Sequence, residues 1–297
     1  MALGNLAQRF LVAVVAVPIL LLILHYHRPE PTWALIFVAS LLAMREFFGM
    51  TLPAEDRKPA LVMGGVAVAA FYWLDPLALL PYGKDVPKGL ASVALFGGGT
   101  IALITATVIP GLFYLFRFRD IPSVAGRYAA TVTGIVYAGF LSTYLAKLKL
   151  VDPHSGGHTV VIVLLIAWMA DTGGYFAGKY LGDRKLYEAV SPKKTWAGAY
   201  GGLAGSVVGV AVLKLFFADW LSWVDVILLA IPGSILGQMG DLAESLIKRS
   251  VGVKDSGALL PGHGGILDRI DAVLFIAPYV YAYLLIRFPD LAAGHMF

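Results

Sequence analysis

Residues 157–181 read Gly157-His-Thr-Val-Val-Ile-Val-Leu-Leu-Ile-Ala-Trp-Met-Ala-Asp171-Thr-Gly-Gly-Tyr175-Phe-Ala-Gly-Lys179-Tyr-Leu181. A run of about 20 mostly apolar residues is the length of helix that crosses the hydrocarbon layer of a bilayer. This run also carries one carboxylate, Asp171, inside its apolar sequence. Outward from it, comparable runs lie at about 10–26, 33–50, 59–80, 90–116, 126–148, 196–217, 221–241 and 268–288. That makes nine spans. Ten is the alternative count, because the fourth run contains Gly97-Gly98-Gly99 and Pro110 and reads as broken. Backbone groups in lipid must be satisfied within their own segment, so spans are helices. The expected fold class is all-α, a polytopic transmembrane helical bundle. Residues 1–150 supply spans 1–5, and residues 151–297 supply spans 6–9 with their loops, together one integral membrane domain.

Composition agrees. Of 297 residues, 59% are hydrophobic and only 14% charged, against about 25% charged in soluble domains. The net charge of +4 is modest, and no Lys/Arg run is dense enough for a nucleic-acid surface. The absence of cysteine excludes disulfides and thiolate metal sites. Arg9 followed by the apolar stretch from Phe10 to Tyr26 imitates a secretory signal. The stretch is long for one, and His25-Tyr26-His27-Arg28-Pro29 follows in place of a small-residue cleavage site. It reads as a retained first span.

Basic residues give the expected orientation. With nine spans, 16 of the 23 Lys and Arg fall on the side of the N-terminus and 7 on the other. By the positive-inside rule the N-terminus is cytoplasmic, as are the two most basic loops, 182–195 and 242–267. In span 7, Gly198 and Gly202, and Gly201, Gly205 and Gly209, recur every four residues. This is the spacing that lets two membrane helices approach closely.

Carboxylates at membrane depth need a reason. In the first half, Asp75 beside Pro76 reads as interfacial, and Glu46 after Arg45 reads as half of a local ion pair. The second half is richer. Besides Asp171, Asp241 and Glu244 close span 8, and Asp268 and Asp271 open span 9. Each pair is spaced i, i+3 and so shares a helix face. Two acidic helix ends at one membrane face call for positive charge between them. Either a hard divalent cation supplies it or ion pairs with Lys248, Arg249 and Arg269 do. Between these segments, Ser191-Pro192-Lys193-Lys194-Thr195-Trp196 sets two lysines and two hydroxyls before a helix start, which suits a phosphate chain. The same lysines also serve as a topology signal. His263-Gly264-Gly265 gives a backbone that a ligand can approach, between Lys254-Asp255 and Asp268-Arg269.

Residues 245–271 fill the pattern S-x-x-K-R-x4-K-D-x-G-x2-L-P-x-H-G-G-x-x-D-R-x-D at every fixed position. This resembles the signature of the phosphatidate cytidylyltransferase (CDP-diacylglycerol synthase) family. Asp171-Thr172-Gly173-Gly174-Tyr175 with Gly178, the Ser191–Trp196 segment, and Gly240-Asp241 with Glu244-Ser245 also resemble family motifs, so the likeness runs over about 165–275. Ala197 departs from it, standing where many relatives have Glu or Gln.

The resemblance implies a reaction in which CTP and phosphatidic acid give CDP-diacylglycerol and pyrophosphate, with Mg²⁺ required. It makes Asp241, Asp268 and Asp271 the expected metal ligands, with Asp171 and Glu244 second. A second metal, or a monovalent cation such as K⁺, is compatible with the same carboxylates. Lys193, Lys194, Lys248, Arg249 and Arg269 are expected on phosphates of CTP or lipid, with Ser191 and Thr195 beside them. His263, Gly264 and Gly265 are expected to line the nucleotide site, with Asp255 orienting Lys254 or fixing the loop. Location in a bacterial inner membrane and a homodimer follow as further expectations. A CTP-dependent polyprenol kinase is the nearest alternative, and a synthase acting on an ether lipid would use the same chemistry. The pattern of the CDP-alcohol phosphotransferases is absent. A cation-coupled transporter is the distant alternative, disfavoured because no internal repeat is evident and the carboxylates gather near one face.

Overall fold

The computed structural model describes residues 5–73, 88–117, 121–151, 157–259 and 264–288. These residues form helices α1 (Asn5–His25), α2 (Glu30–Thr51), α3 (Ala54–Trp73), α4 (Lys88–Leu115), α5 (Ile121–Leu150), α6 (His158–Leu181), α7 (Trp196–Phe216), α8 (Trp223–Ser250) and α9 (Leu267–Arg287). Six of them, α2 and α5 to α9, are long and apolar enough to cross a membrane, and α1 and α4 contribute shorter apolar stretches, Val14–His25 and Gly99–Leu115. The third expected span, 59–80, is described only in part. α3 begins earlier than expected, and Glu55, Asp56, Arg57 and Lys58 fill its first turns. Residues 74–80, expected as its end and including Asp75, lie outside the described residues.

The chain forms two compact units. One gathers α1, the segment from Val151 to Lys254, and α9 from Asp268; the other gathers α2 to α5 with Asp255–Leu267. In the second unit, α2 packs on α5 through small residues. A Cβ on Gly134 would strike the rings of Phe47 and Phe48, and one on Gly139 would strike Val68 and Met44. Between these glycines α5 widens into a π-helical stretch, Ile135–Phe140. Asp56, fully buried in the first turn of α3, is ion-paired with Arg117 and, at 3.3 Å, with Arg127. Both guanidiniums are needed there, because a buried carboxylate without a cation is costly.

In the first unit, α6 and α7 lie backbone to backbone. A Cβ on Gly173 would meet the Gly201 carbonyl, one on Gly198 would sit 3.0 Å from the Gly174 carbonyl, and one on Gly205 would collide with the Met169 carbonyl. The four-residue glycine spacing thus packs α7 on α6 and brings Asp171 beside the chain that enters α7. Gly205→Ala is expected to lower the thermal unfolding midpoint of the detergent-solubilised protein by several degrees, since overpacking costs roughly 1–3 kcal/mol. Gly49→Ala in α2 meets nothing within 4 Å and is expected to leave the midpoint unchanged or slightly raised. Equal midpoints for the two variants would remove the interface argument.

The fold is mostly helical, as expected; the connection between α6 and α7 adds a short hairpin that the expectation lacked. Lys185–Tyr187 (β1) and Ser191–Thr195 (β2) pair antiparallel, with Lys185 opposite Thr195 and Tyr187 opposite Ser191. Nothing in so short a loop satisfies its own backbone as a helix would, so the two arms bond each other. The ladder is closed by Trp196 N–H donating to the Arg184 carbonyl at 3.0 Å. Pro192 lacks an N–H, and an edge strand tolerates it. Thr195 is the N-cap of α7, its hydroxyl accepting the Gly198 N–H at 3.1 Å.

α8 and α9 are fastened at the opposite end of the unit. Ser222 and Asp225 form a capping box on α8. The buried Asp225 carboxylate also accepts from Tyr283 Oη at 2.6 Å and Arg287 Nε at 3.1 Å. Along the helices, Gly237 faces Ile276, and Gly240 faces the Asp271 carbonyl, which a Cβ would approach to 2.7 Å.

Candidate active site

The charged residues of the first unit meet where α6, the hairpin, α8 and α9 converge. Lys248 is the hinge of the arrangement. Its ammonium donates to Glu244 Oε2 and to Asp268 Oδ1, each at 2.6 Å, and joins α8 to the first turn of α9. Glu244 is fully buried, with Oε1 left without a hydrogen-bond partner. Lys194, on β2, reaches Asp241 Oδ2 at 2.6 Å, and the other oxygen of Asp241 accepts from Ser245 Oγ at 3.4 Å. Asp271 is buried, makes no ion pair among the described residues, and accepts only the N–H of Ala272, at 2.7 Å. It lies within electrostatic reach of Asp241, Glu244 and Lys248. Asp171, on α6, is in reach of Asp241, Lys194 and Arg269.

A cavity of about 350 Å³ opens beside this cluster. Asp171, Tyr175, Lys193, Lys194, Thr195 and Gln238 line it. Gly174, Gly178 and Gly198 leave its wall without side chains, so a ligand there would meet backbone. Gln238 is oriented by donating to the Ala199 carbonyl at 3.2 Å. Two lysines and an acid around a walled space suit an anionic ligand with a bound cation.

Placement of the expected residues is uneven. Asp171, Lys193, Lys194, Asp241, Glu244, Lys248, Asp268 and Asp271 gather as described. Ser191 opens β2, and Thr195 is spent on the cap of α7. Arg249 is exposed and turned back on the protein, donating to the carbonyls of Val253 at 3.1 Å and Val190 at 3.4 Å. Arg269 is exposed at the start of α9, and Lys254 and Asp255 are exposed with no ion pair among the described residues. Gly264 has a positive φ of 79°, and Gly265 is buried. His263 lies outside the described residues.

Glu46 is the residue that sequence reading missed. It is not half of a pair with Arg45. Its carboxylate accepts the N–H of Ile266 at 3.1 Å, the N–H of Leu267 at 2.9 Å and the hydroxyl of Ser256 at 3.1 Å. A carboxylate at a helix end was visible in the sequence, but nothing there links it to residues more than 200 positions away.

The donors suit a hard cation in kind: every candidate is a carboxylate oxygen. Two buried features ask for positive charge, the unpaired Glu244 Oε1 and the Asp271 carboxylate that lacks an ion-pair partner. Among the described residues no three acidic or histidine side chains converge on a single point. Lys194 and Lys248 stand between them.

The fold is that of a helical membrane protein whose charged side chains cluster at the ends of its helices. The chain belongs to the cytidylyltransferase family, whose model matches residues 7–287. It is 36% identical to the phosphatidate cytidylyltransferase of Synechocystis sp. over 274 residues, 78% of this chain and 92% of that protein. It is 30% identical to the Bacillus subtilis phosphatidate cytidylyltransferase over 280 residues, 93% of this chain and 97% of that one. A third relative, the Brucella suis phosphatidate cytidylyltransferase, is 44% identical over 150 residues, 50% of this chain and 55% of that protein.

Proposed function

We propose that this chain is a phosphatidate cytidylyltransferase, transferring CMP from CTP to phosphatidic acid in phospholipid biosynthesis. The observation that carries the reading is similarity along almost the whole chain to relatives of that name. A phosphate oxygen of the lipid attacks the α-phosphorus of CTP. The bond from that phosphorus to the β-phosphate bridging oxygen breaks, and pyrophosphate leaves with the electron pair. The nucleophile is already ionised at neutral pH, so no general base is required, which agrees with a site made of lysines and carboxylates. What remains for the protein is alignment and charge neutralisation.

Lys193 and Lys194 in the cavity wall and Arg269 at the start of α9 take the phosphates. The ion pair with Asp241 limits where Lys194 can point. Lys248 acts differently: held between two carboxylates, it fixes Asp268 against α8. Asp241, Asp268 and Asp271 would hold Mg²⁺, with Asp171 and Glu244 beside them, once the lysines now paired with Asp241 and Asp268 turn to the phosphates, and a second metal or K⁺ would suit the same oxygens. When bound, the cation would neutralise the triphosphate and stabilise the charge that develops on the departing pyrophosphate. Nine crossings follow the count of apolar runs, the split of basic residues supports a cytoplasmic N-terminus and cytoplasmic site loops, and the bacterial relatives support an inner membrane; a homodimer belongs to the same reading.

Labelled CTP tests this. With purified protein and phosphatidic acid in mixed micelles, label in the α-phosphate is expected in the lipid product and label in the γ-phosphate in pyrophosphate. Transfer of the γ-label to lipid would replace this reading by a CTP-dependent lipid kinase.

A further inference from the structure

Glu46 and the segment that follows α8 belong to the same compact unit. The three donors to the Glu46 carboxylate come from Ser256, Ile266 and Leu267, so one side chain of α2 grips both arms of the signature loop. Two of these donors are main-chain N–H groups where the chain enters α9. The first N–H groups of a helix have no partner inside it, and Ile266 has no side-chain acceptor with which to cap them. Glu46 supplies that acceptor from another helix, with negative charge at the end of the dipole that favours it.

The glycines of the loop fit this grip. A Cβ on Gly257 would lie 2.6 Å from Glu46 Oε1. One on Gly265 would collide with the Glu46 carboxylate and with Ser256 Oγ. Each arm must therefore lack a side chain at this one position for the carboxylate to enter between them. Of the two glycines that end the His-Gly-Gly run, Gly264 is the one set by its own backbone, at φ 79°. Gly265 is a glycine because Glu46 is there.

We infer that Glu46 is a positioning residue for the transfer reaction: it fixes the two described arms of this loop, at Ser256 and at Ile266–Leu267, so that the loop is presented to CTP and α9 begins one peptide bond before Asp268. The inference rests on the reading of this loop as the nucleotide-handling motif. Substitution then acts on CTP and spares the lipid.

The test uses the full chain in lipid nanodiscs, with CTP and phosphatidic acid varied separately and with hydrogen exchange of the peptide covering 256–267 followed without substrate. Glu46→Gln keeps the size but replaces one acceptor oxygen by a donor that faces N–H groups. Its KM for CTP is expected to rise by roughly tenfold, the loss of one charge-assisted hydrogen bond. The KM for phosphatidic acid is expected to stay within about twofold, with faster exchange at Ile266 and Leu267. Ser256→Ala removes one of the three bonds without touching α2 and is expected to shift both readouts in the same direction by less. Glu46→Asp keeps the charge and is expected to fall between wild type and Glu46→Gln. Unchanged exchange at Ile266 and Leu267 in Glu46→Gln overturns the grip. Faster exchange with an unchanged KM for CTP overturns the nucleotide role, and because the carboxylate cluster is tested separately by Asp271→Asn, that outcome would not be confused with failure of the metal reading.

Discussion

Lys248→Met is expected to abolish transfer and to destabilise the protein at the same time. The ammonium is mostly buried and lies 2.6 Å from each of two carboxylates, one of them the fully buried Glu244. Methionine fills the volume but leaves Glu244 and Asp268 facing each other with no cation between them. Removing one partner of a buried ion pair costs roughly 3–5 kcal/mol, because the charge left behind stays desolvated. The effect falls on the junction of α8 with α9, so Asp268 and the helix start that bears Arg269 lose their fixed position as well. Adding Glu244→Gln to Lys248→Met removes one of the two stranded charges and is expected to restore part of the stability without restoring turnover. Thermal unfolding of the purified protein, with CMP transfer measured in parallel, checks both halves. A wild-type midpoint for Lys248→Met would show that the triad carries no stability.

The gathering of the acidic residues with Lys194 and Lys248 was legible in the sequence, and their wiring was not. Asp241 with Glu244, and Asp268 with Asp271, each sit three residues apart and read as acidic faces. Three residues on a helix leave an angular offset of about 60°, enough for two neighbours to face different partners. Asp241 turns to Lys194 on the hairpin, and Glu244 turns along its own helix to Lys248. Asp268 shares that lysine, while Asp271 takes a backbone N–H. Of the two readings open at the sequence level, ion pairs with Lys248 are present, and the Asp271 carboxylate makes no ion pair among the described residues.

The glycine spacing of α7 reported a close helix contact because small residues at a fixed interval have few other uses in a membrane helix. The hairpin left no such mark: strands of three and five residues are too short for alternation to show. Glu46 was invisible for a different reason. Two of its three partners are backbone amides, which carry no residue identity, and the third is the hydroxyl of Ser256, 210 positions away. Its only trace in the sequence is Gly257 and Gly265, whose small size reads equally well as room for a ligand.

Asp271→Asn is expected to separate catalysis from stability in the direction opposite to most substitutions in a helix core. The Asp271 carboxylate is buried, its one hydrogen bond comes from Ala272, and it has no ion-pair partner among the described residues. A carboxylate held out of water without a cation costs free energy. Asparagine keeps the shape and still accepts the Ala272 N–H, so the unfolding midpoint without divalent cation is expected to match or exceed that of the wild type. Turnover is expected to fall by about 10²–10³, the loss typical of removing one electrostatic contributor from a preorganised site. Mg²⁺ added without substrates is expected to raise the wild-type midpoint by mass action and to have little effect on the variant, a readout that does not depend on turnover. Asp268→Asn differs, because it also weakens the hold of Lys248 and should lose both activity and stability. A group kept at a cost to the fold is kept for what it binds. If Asp271→Asn turned over at the wild-type rate with the wild-type Mg²⁺ dependence, Asp271 would leave the metal set and its burial would need another cause.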